Sequence, residues 1–455
     1  MERKKEMSIL QTNYDVVITG SGGAGMSAAL EVAAAGLKPV ILEKTDKVGG
    51  NTNKASSGMN ASETIFQKEA GISDQKSAFF EESLKGGHGS NDQELLHYYI
   101  DHSAAAIEWL NTKGIVLDNL TITGGMSLPR THRPHDGSAV GGYLVKGLKR
   151  NLEALEIPIV MGAEALHLIL EKGRIIGLQV KQNDEVRKVA CRAVILASGG
   201  FGANFQMIES VRPDLRGYIT TSGSGITGDG IRLAEEAGGY SVDMGKIQVH
   251  PTVQQDQGIL IGEAVRGEGA IMVDAKGRRF VNEMGTRDVV SSAITSLPEQ
   301  KARLIFDQGV RERNKAIEFY DYKGYVIKGE SVEDLAAAIN VPAQALKETL
   351  QTWNGFVDRK EDVAFQRTTG LHRLDRAPYY SIEIAPGIHY TMGGVKINTK
   401  AEVLHQGTQE PIPGLYACGE VVGGIHGSNR IGGNSIGEII VFGRLAGQSA
   451  SQYLQ

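Results

Sequence analysis

The spacing of apolar and polar positions divides the chain into blocks of different period. Val16-Val17-Ile18 is a short apolar, β-branched run, the composition of a strand buried on both faces in a parallel sheet. It gives way to Gly20-Ser21-Gly22-Gly23-Ala24-Gly25. Met26 to Ala35, rich in Ala and Leu, then predicts a helix. Gly36 stops that helix, and Pro39-Val40-Ile41-Leu42 predicts a second strand closing on Glu43. Residues 64–118 carry helical spacing, with Trp109 expected to anchor the segment in the core. Residues 158–196 predict β structure: Ile159 to Met161, a hairpin of His167–Leu170 and Ile175–Val180 about Lys172-Gly173, and a return through Lys188–Ala190 and Arg192–Leu196. Helices are expected from Ile231 to Ala237, from Val332 to Phe356 and from Gly437 to Tyr453.

The first block matches G-x-G-x-x-G at Gly20, Gly22 and Gly25, between a strand and a helix, with an acid about 20 residues on. Glycines there permit a tight turn and close backbone approach to a pyrophosphate, and the helix start offers free N–H groups and a positive dipole end. Glu43 stands where the ribose-binding acid of such units sits. An adenine dinucleotide is therefore expected. A nicotinamide dehydrogenase would continue alternating strands and helices at this point. Instead the chain runs through Lys44, Gly49-Gly50-Asn51-Thr52 and Ser57-Gly58-Met59-Asn60, small and polar residues suited to a backbone wrapped round a bulky ligand. That pattern resembles FAD enzymes of the fumarate reductase and succinate dehydrogenase flavoprotein superfamily.

Composition narrows the classes. With 455 residues, the chain is long enough for two or more domains. Its net charge of -5 is interspersed, which excludes a nucleic-acid partner on electrostatic grounds. The two cysteines, Cys191 and Cys418, form neither a disulfide framework nor a metal pair, and no C-x-x-C-H for haem occurs. No metal site is expected. The charged Met1–Met7 segment has no apolar run after it, and no apolar stretch could span a bilayer, so a cytoplasmic protein away from membranes is expected.

The second half of the chain carries H-P-T at 250–252, E-A-V-R-G-x-G-A from Glu263, R-F-V-N-E followed by T-R-D at 286–288, H-Y-T-M-G-G from His389, and H-G-x-N-R-x-G-G-N from His426. In this order they resemble the soluble fumarate reductases of flavocytochrome c type, from about Tyr14 to the C-terminus. The resemblance implies an α/β architecture: a Rossmann-like FAD-binding domain (1–237 and 378–455) with an inserted α+β capping domain (238–377). Beyond the first block, it implies flavin contacts at Ala163, at Ala197-Ser198-Gly199, and at Thr227 with Asp229. Further contacts are implied at Gly419-Glu420, Arg430 and Asn434-Ser435-Ile436.

The implied chemistry is reduction of a C=C bond conjugated to a carboxylate. Hydride comes from flavin N5 to the β-carbon, and a proton must reach the α-carbon. By resemblance, His389 and Arg430 grip one carboxylate, His250 holds the other end, and Arg287 is the acid, recharged through Glu263 and Arg266. A guanidinium acid runs against the usual rule that arginine stays protonated. Repulsion from Arg430 and Arg266, and a strongly basic carbanion, would make it competent. Taken without the family, His250 or His389 would be the acid.

Two features depart from the family. Where a Met and a Thr precede the E-x-x-R pair, this chain has Leu260 and Gly262, and Thr123 replaces a further methionine. The resemblance also implies non-covalent FAD, because no histidine lies between Asn51 and Asn60, and an external electron donor, either a reductase or free reduced flavin. The leading expectation is fumarate to succinate. The alternatives are a bulkier acrylate such as cinnamate, hydroxycinnamate or urocanate, or a flavin-binding subunit or sensor without chemistry. The loop Leu128–Gly137, dense in Arg and His, reads equally as an active-site wall or as solvated surface.

Overall fold

The structure, a computed structural model, describes residues 10–455; the Met1–Met7 segment lies outside the described residues. Two compact units form, one from residues up to Arg216, Ser222–Ile247 and Tyr390–Gln455, the other from Gly217–Thr221 and Gln248–His389.

The first unit is built on a six-stranded sheet in the order Glu402–Leu404, Pro411–Ala417, Ala193–Leu196, β1 (Val16–Thr19), β2 (Pro39–Glu43) and Ile159–Met161. All its pairings are parallel except the one to the edge strand Glu402–Leu404. Val17 lies between Val40 and Val194 in register, and every residue of β1 is buried, as its unbroken apolar run requires. Helix α1 (Gly23–Ala34) follows β1 and packs on the C-terminal helix Asn434–Leu454. The two helices meet backbone to backbone. A Cβ on Gly443 would stand 2.6 Å from the Ala24 carbonyl oxygen, and one on Gly447 2.5 Å from that of Ala28. The expected hairpin is present as Ala163–Glu171 and Arg174–Gln182, with Glu185–Ala190 as third strand.

Residues 64–118 form three main helices, Ile65–Glu69, Lys76–Gly86 and Gln93–Thr112. Trp109 is not the core anchor. The buried stripe of the last helix runs through Leu96, Ile100, Ser103, Ile107 and Leu110 at alternating spacings of four and three, and Trp109 falls outside it. Half-buried, it lies under the Arg444 guanidinium (5.2 Å) and the Lys113 ammonium (5.6 Å).

The Leu128–Gly137 loop fits neither of its two readings. Thr131–Arg133 is a strand between Met59–Asn60 and Asn119–Thr121. Arg130 is fully buried, with its guanidinium on both Asp74 oxygens (2.7 and 2.6 Å) and on Glu82 (2.6 Å). His132, also fully buried, lies between the Arg130 carbonyl and the Thr64 hydroxyl, each at 2.8 Å. Burial pushes its imidazole down to about 4, so it is a neutral framework group. Only the His135 end faces solvent.

The second unit centres on a mixed-length sheet ordered Ile259–Leu260, Ile247–Gln254, Tyr379–Thr391, Ala302–Asp307 and Ile271–Val273, with Ile327–Gly329 beside Tyr379–Thr391. The helix Ala343–Arg359 contributes the fully buried Trp353, held between the guanidiniums of Arg279 (4.6 Å) and Arg367 (4.8 Å). Both arginines bind the buried Glu283 carboxylate. The main segment of this unit, Gln248–His389, starts and ends later than the expected 238 and 377, and Gly217–Thr221 joins it from before that span. Ser241–Val242 pairs with Gly394–Val395 inside the first unit, while residues 379–389 belong to one long strand hydrogen-bonded to Ala302–Asp307. Among the described residues, no helix is long and apolar enough to cross a membrane.

Removing one partner of a buried ion pair leaves the other uncompensated, at a cost of about 3–5 kcal/mol. Arg130→Ala strands Asp74 and Glu82 together, so its thermal or urea unfolding should show a loss of that size.

Candidate functional site

The first unit holds a cradle of glycines at the C-terminal ends of its parallel strands. Gly20 has φ +100° and a Cβ there would stand 2.3 Å from the Ala197 carbonyl oxygen; one on Gly25 would stand 2.1 Å from the oxygen of Gly20. No side chain fits at either point. The N-cap of α1 is Gly22, with no side-chain cap and no acid in the first turn, which leaves positive dipole character for an anion. Gly23 donates its N–H to Thr52 (3.0 Å), drawing the Gly49–Thr52 segment against the helix start.

Glu43, 7% exposed, ends β2 and accepts from the Ser21 N–H (3.1 Å) and hydroxyl (2.5 Å). Its other oxygen accepts from the backbone and hydroxyl of Thr45 at 2.9 and 2.8 Å. The carboxylate is thereby fixed beside the glycine turn. Lys44 forms an ion pair with Asp229 (2.5 Å) and bonds the Thr227 hydroxyl (2.5 Å), so three expected cofactor residues form one cluster. Ser198 caps the same region by accepting from the Gly230 N–H (3.1 Å).

A second group gathers around Glu420. Asn51 donates to this carboxylate (3.1 Å) and accepts from the Gly223 N–H (2.9 Å), tying three distant segments together. Thr391 donates its N–H to the other Glu420 oxygen at 3.1 Å. Burial raises the pKa of Glu420 while these donors oppose the shift. Glu438, on the C-terminal helix, is 1% exposed; one oxygen accepts from the Gly419 N–H (3.1 Å) and the other has no partner among the described residues. Burial, reinforced by Glu420, pushes it up to about 8. Arg430 lies buried over the Tyr390 ring at 4.3 Å and is the cation that favours ionisation of both carboxyls.

Two of the expected contact residues are also bound into the framework. Asn60 donates to the Gly432 carbonyl (2.8 Å) and to Asn434 (2.7 Å), accepts from Thr131 (2.6 Å), and bonds Tyr99 through its carbonyl (2.9 Å). Its polar atoms are committed to the framework. Asn434 completes this set by donating to Ser83 (3.2 Å). Gly58 is packed tightly as well, with a Cβ there 2.4 Å from the His132 carbonyl oxygen.

The second unit carries the acid–base candidates. Arg287 starts the helix Arg287–Thr295, donates to Gln248 (2.9 Å), and lies 3.9 Å from the Glu263 carboxylate through Nε. Arg266 lies 3.9 Å from the same carboxylate oxygen through Nη2. Both separations exceed a direct hydrogen bond and suit a bridging water. Arg266 is 1% exposed, and burial lowers its pKa against the pull of Glu263 and Glu283. Two guanidiniums therefore share one half-buried carboxylate.

The Nδ1 atom of His250 accepts from the Thr252 N–H (3.2 Å), which assigns the imidazole proton to Nε2 and makes that atom a donor. Thr221 fixes His389 by a 2.8 Å contact to Nδ1, and the two imidazoles meet edge to face at 5.2 Å. Gln248 belongs to the stretch around H-P-T, whereas Thr221 and Glu438 are neighbours that motif reading did not single out. Gln248 lies two residues before His250 of the H-P-T motif; nothing in the sequence marks the other two.

Such a cradle beside buried carboxyls and a buried arginine fits a large anionic cofactor. The FAD binding domain family matches residues 15–436. The fumarate reductase (cytochrome) of Shewanella frigidimarina is 42% identical over 441 residues, covering 96% of this chain and 77% of that one. The chain is a flavoprotein of the fumarate reductase family. The open-conformation structure of a flavocytochrome c3 fumarate reductase matches this flavoprotein with a TM-score of 0.84 and 37% identity, over 97% of this chain and 79% of that one. The NADH:fumarate oxidoreductase of Klebsiella pneumoniae (strain 342) is 49% identical over 97% of this chain, which spans 48% of that protein's length.

The raised acid Glu438 has a defined pH signature. Its folded pKa of about 8 exceeds the ordinary 4.5, so the folded state holds more protons between those values, and stability falls as pH rises through that window. Glu438→Gln should flatten this slope and be the more stable form at pH 8, read as unfolding midpoints from pH 5 to 8.5.

Proposed function

We propose that this flavoprotein reduces the C=C bond of a small α,β-unsaturated carboxylate, with fumarate to succinate as its reaction. Bound FAD, when reduced, supplies hydride to the β-carbon. What the chain must add is a grip on the carboxylates, stabilisation of negative charge at the α-carbon, and a proton. Arg430 and His389 bind one carboxylate, the arginine through a forked, charge-assisted pair. His250, with its proton on Nε2, donates to the other end. Arg287 protonates the α-carbon and is recharged through Glu263 and Arg266. The observation that carries this reading is the shared Glu263 carboxylate, 3.9 Å from each of two guanidiniums, one of them fully buried.

A guanidinium is a weak acid, and its burial matters here. Arg266 has its charged form disfavoured by desolvation. The strongly basic carbanion formed on hydride arrival does the rest.

Further features follow from the same reading. FAD is held non-covalently, since Asn51 to Asn60 offer no histidine. Electrons arrive from a separate reductase or a free reduced flavin, and the name of the Klebsiella relative points to NADH as their source. This chain binds no haem, its partners exclude nucleic acid and membrane, and it works in the cytoplasm; its two cysteines are buried free thiols, compatible with a reducing compartment. Leu260 and Gly262 support a second reading, an acrylate with a bulkier β-substituent such as cinnamate or urocanate, because glycine leaves room and no hydroxyl.

Oxidation of reduced viologen by fumarate, cinnamate and urocanate separates the two readings; fumarate as the slowest acid would overturn the first. Arg287→Ala should keep its FAD absorbance and lose about 10²–10⁴-fold in turnover, the range for removing a general acid. Unchanged turnover would remove Arg287 from the mechanism.

A further inference from the structure

By the family resemblance a threonine before the E-x-x-R pair would offer its hydroxyl to the second carboxylate; Gly262 stands there instead, yet a hydroxyl is present beside it. The Tyr320 phenol oxygen accepts the Gly262 N–H at 3.0 Å. Tyr320 comes from the helix Ala316–Tyr322, remote in sequence from the Glu263 motif, and is 4% exposed. A phenol has one donor hydrogen and two acceptor lone pairs. The glycine amide takes a lone pair. Among the described residues, nothing accepts the hydrogen. Burial raises the phenol pKa, so the hydrogen stays in place at neutral pH.

The surrounding bonds tie this hydroxyl to the substrate-binding residues of the same unit. Strand Ile247–Gln254 pairs with Ile259–Leu260, setting Val253 opposite Leu260. Ile261 then donates its N–H to the Thr252 carbonyl (2.9 Å) and accepts from the Thr252 hydroxyl (2.7 Å). Thr252 in turn donates its N–H to His250 Nδ1 (3.2 Å). A short chain of bonds thus runs from His250 through Thr252 and Ile261 to Gly262 and Tyr320. Glu263, between the two guanidiniums, is the next residue. A buried donor without an acceptor is costly, and a ligand carboxylate would satisfy it with a charge-assisted bond.

The geometry points to Tyr320 as a specificity-determining residue whose hydroxyl donates to the distal carboxylate of a dicarboxylate substrate, beside His250. It replaces from another helix the group that position 262 lacks. This rests on the enoate-reductase reading and deepens it: the substrate class becomes a short unsaturated dicarboxylate, and an acrylate ending in an apolar group would leave the phenol without its acceptor.

The test compares fumarate with crotonate, which lacks the second carboxylate, on the FAD-loaded enzyme with reduced viologen as donor. Tyr320→Phe removes one oxygen and leaves the ring packing in place. The expected result is a KM for fumarate raised about tenfold or more, the usual effect of losing a hydrogen bond to a charged group. The substitution also takes the acceptor from the Gly262 N–H, an effect common to both acids, so the fumarate KM should rise about tenfold more than that of crotonate, with flavin content as in the parent. Succinate titrated into the oxidised protein, followed by the flavin absorbance change, should weaken by the same factor. A variant that alters both acids equally, or neither, overturns the role of Tyr320 while leaving the enoate-reductase reading intact. A parent enzyme that reduces crotonate or cinnamate but not fumarate overturns both the fumarate assignment and this one.

Discussion

The approach of two helix backbones, α1 and Asn434–Leu454, is the contact on which the cofactor unit depends. Ala24 and Ala28 on one helix face Gly443 and Gly447 on the other at distances no Cβ could occupy. That contact joins the first strand–helix block to the last helix of the chain, and both helices begin at a glycine N-cap without a side-chain cap. Their free N–H groups and positive dipole ends are thus set by one packing constraint. The same constraint draws Gly419 and Glu438 together, which explains a carboxyl buried with only a backbone amide for company. The unit spends its close packing on holding polar backbone where an anionic ligand needs it.

The capping unit solves a different problem, the burial of several arginines. Glu283 binds Arg279 and Arg367 with its side chain, and its backbone carbonyl accepts from Arg266. Arg367 in turn donates to the Arg266 carbonyl. Arg266 is therefore positioned by the backbone and left with Glu263 as the acid facing its free edge, at 3.9 Å. Burying a charge is tolerable only when it is bonded and partnered. Here the partnership is loose on one side, at the proton path proposed above.

Much of this organisation was legible in the sequence, and the reasons are local. The β1–α1–β2 block could be read because strand, glycines, helix and acid all lie within thirty or so consecutive residues of strong periodicity. The hairpin around Lys172 was readable for the same reason. Arg130 and His132 were not, because their partners Asp74, Glu82 and Thr64 lie far away in sequence, and only tertiary structure reveals that a polar loop is buried. Asn60 and Asn434 fall within cofactor motifs, and the bond between their amides, which joins residues far apart in sequence, could not be read there. Trp109 missed the core because a large aromatic was weighed above its place on the helical wheel. Tyr320 carries no motif at all.

The insertion of the capping unit has a consequence of its own. The chain crosses into it along Ile247–Gln254 and returns along Tyr379–Thr391, and these two strands are neighbours in one sheet. A segment whose two ends lie side by side can be lengthened, shortened or exchanged without disturbing its host. Substrate preference in such a scaffold can drift by grafting while the redox half stays constant. One flavin cradle can in this way serve a lineage of enzymes that differ in the acids they accept.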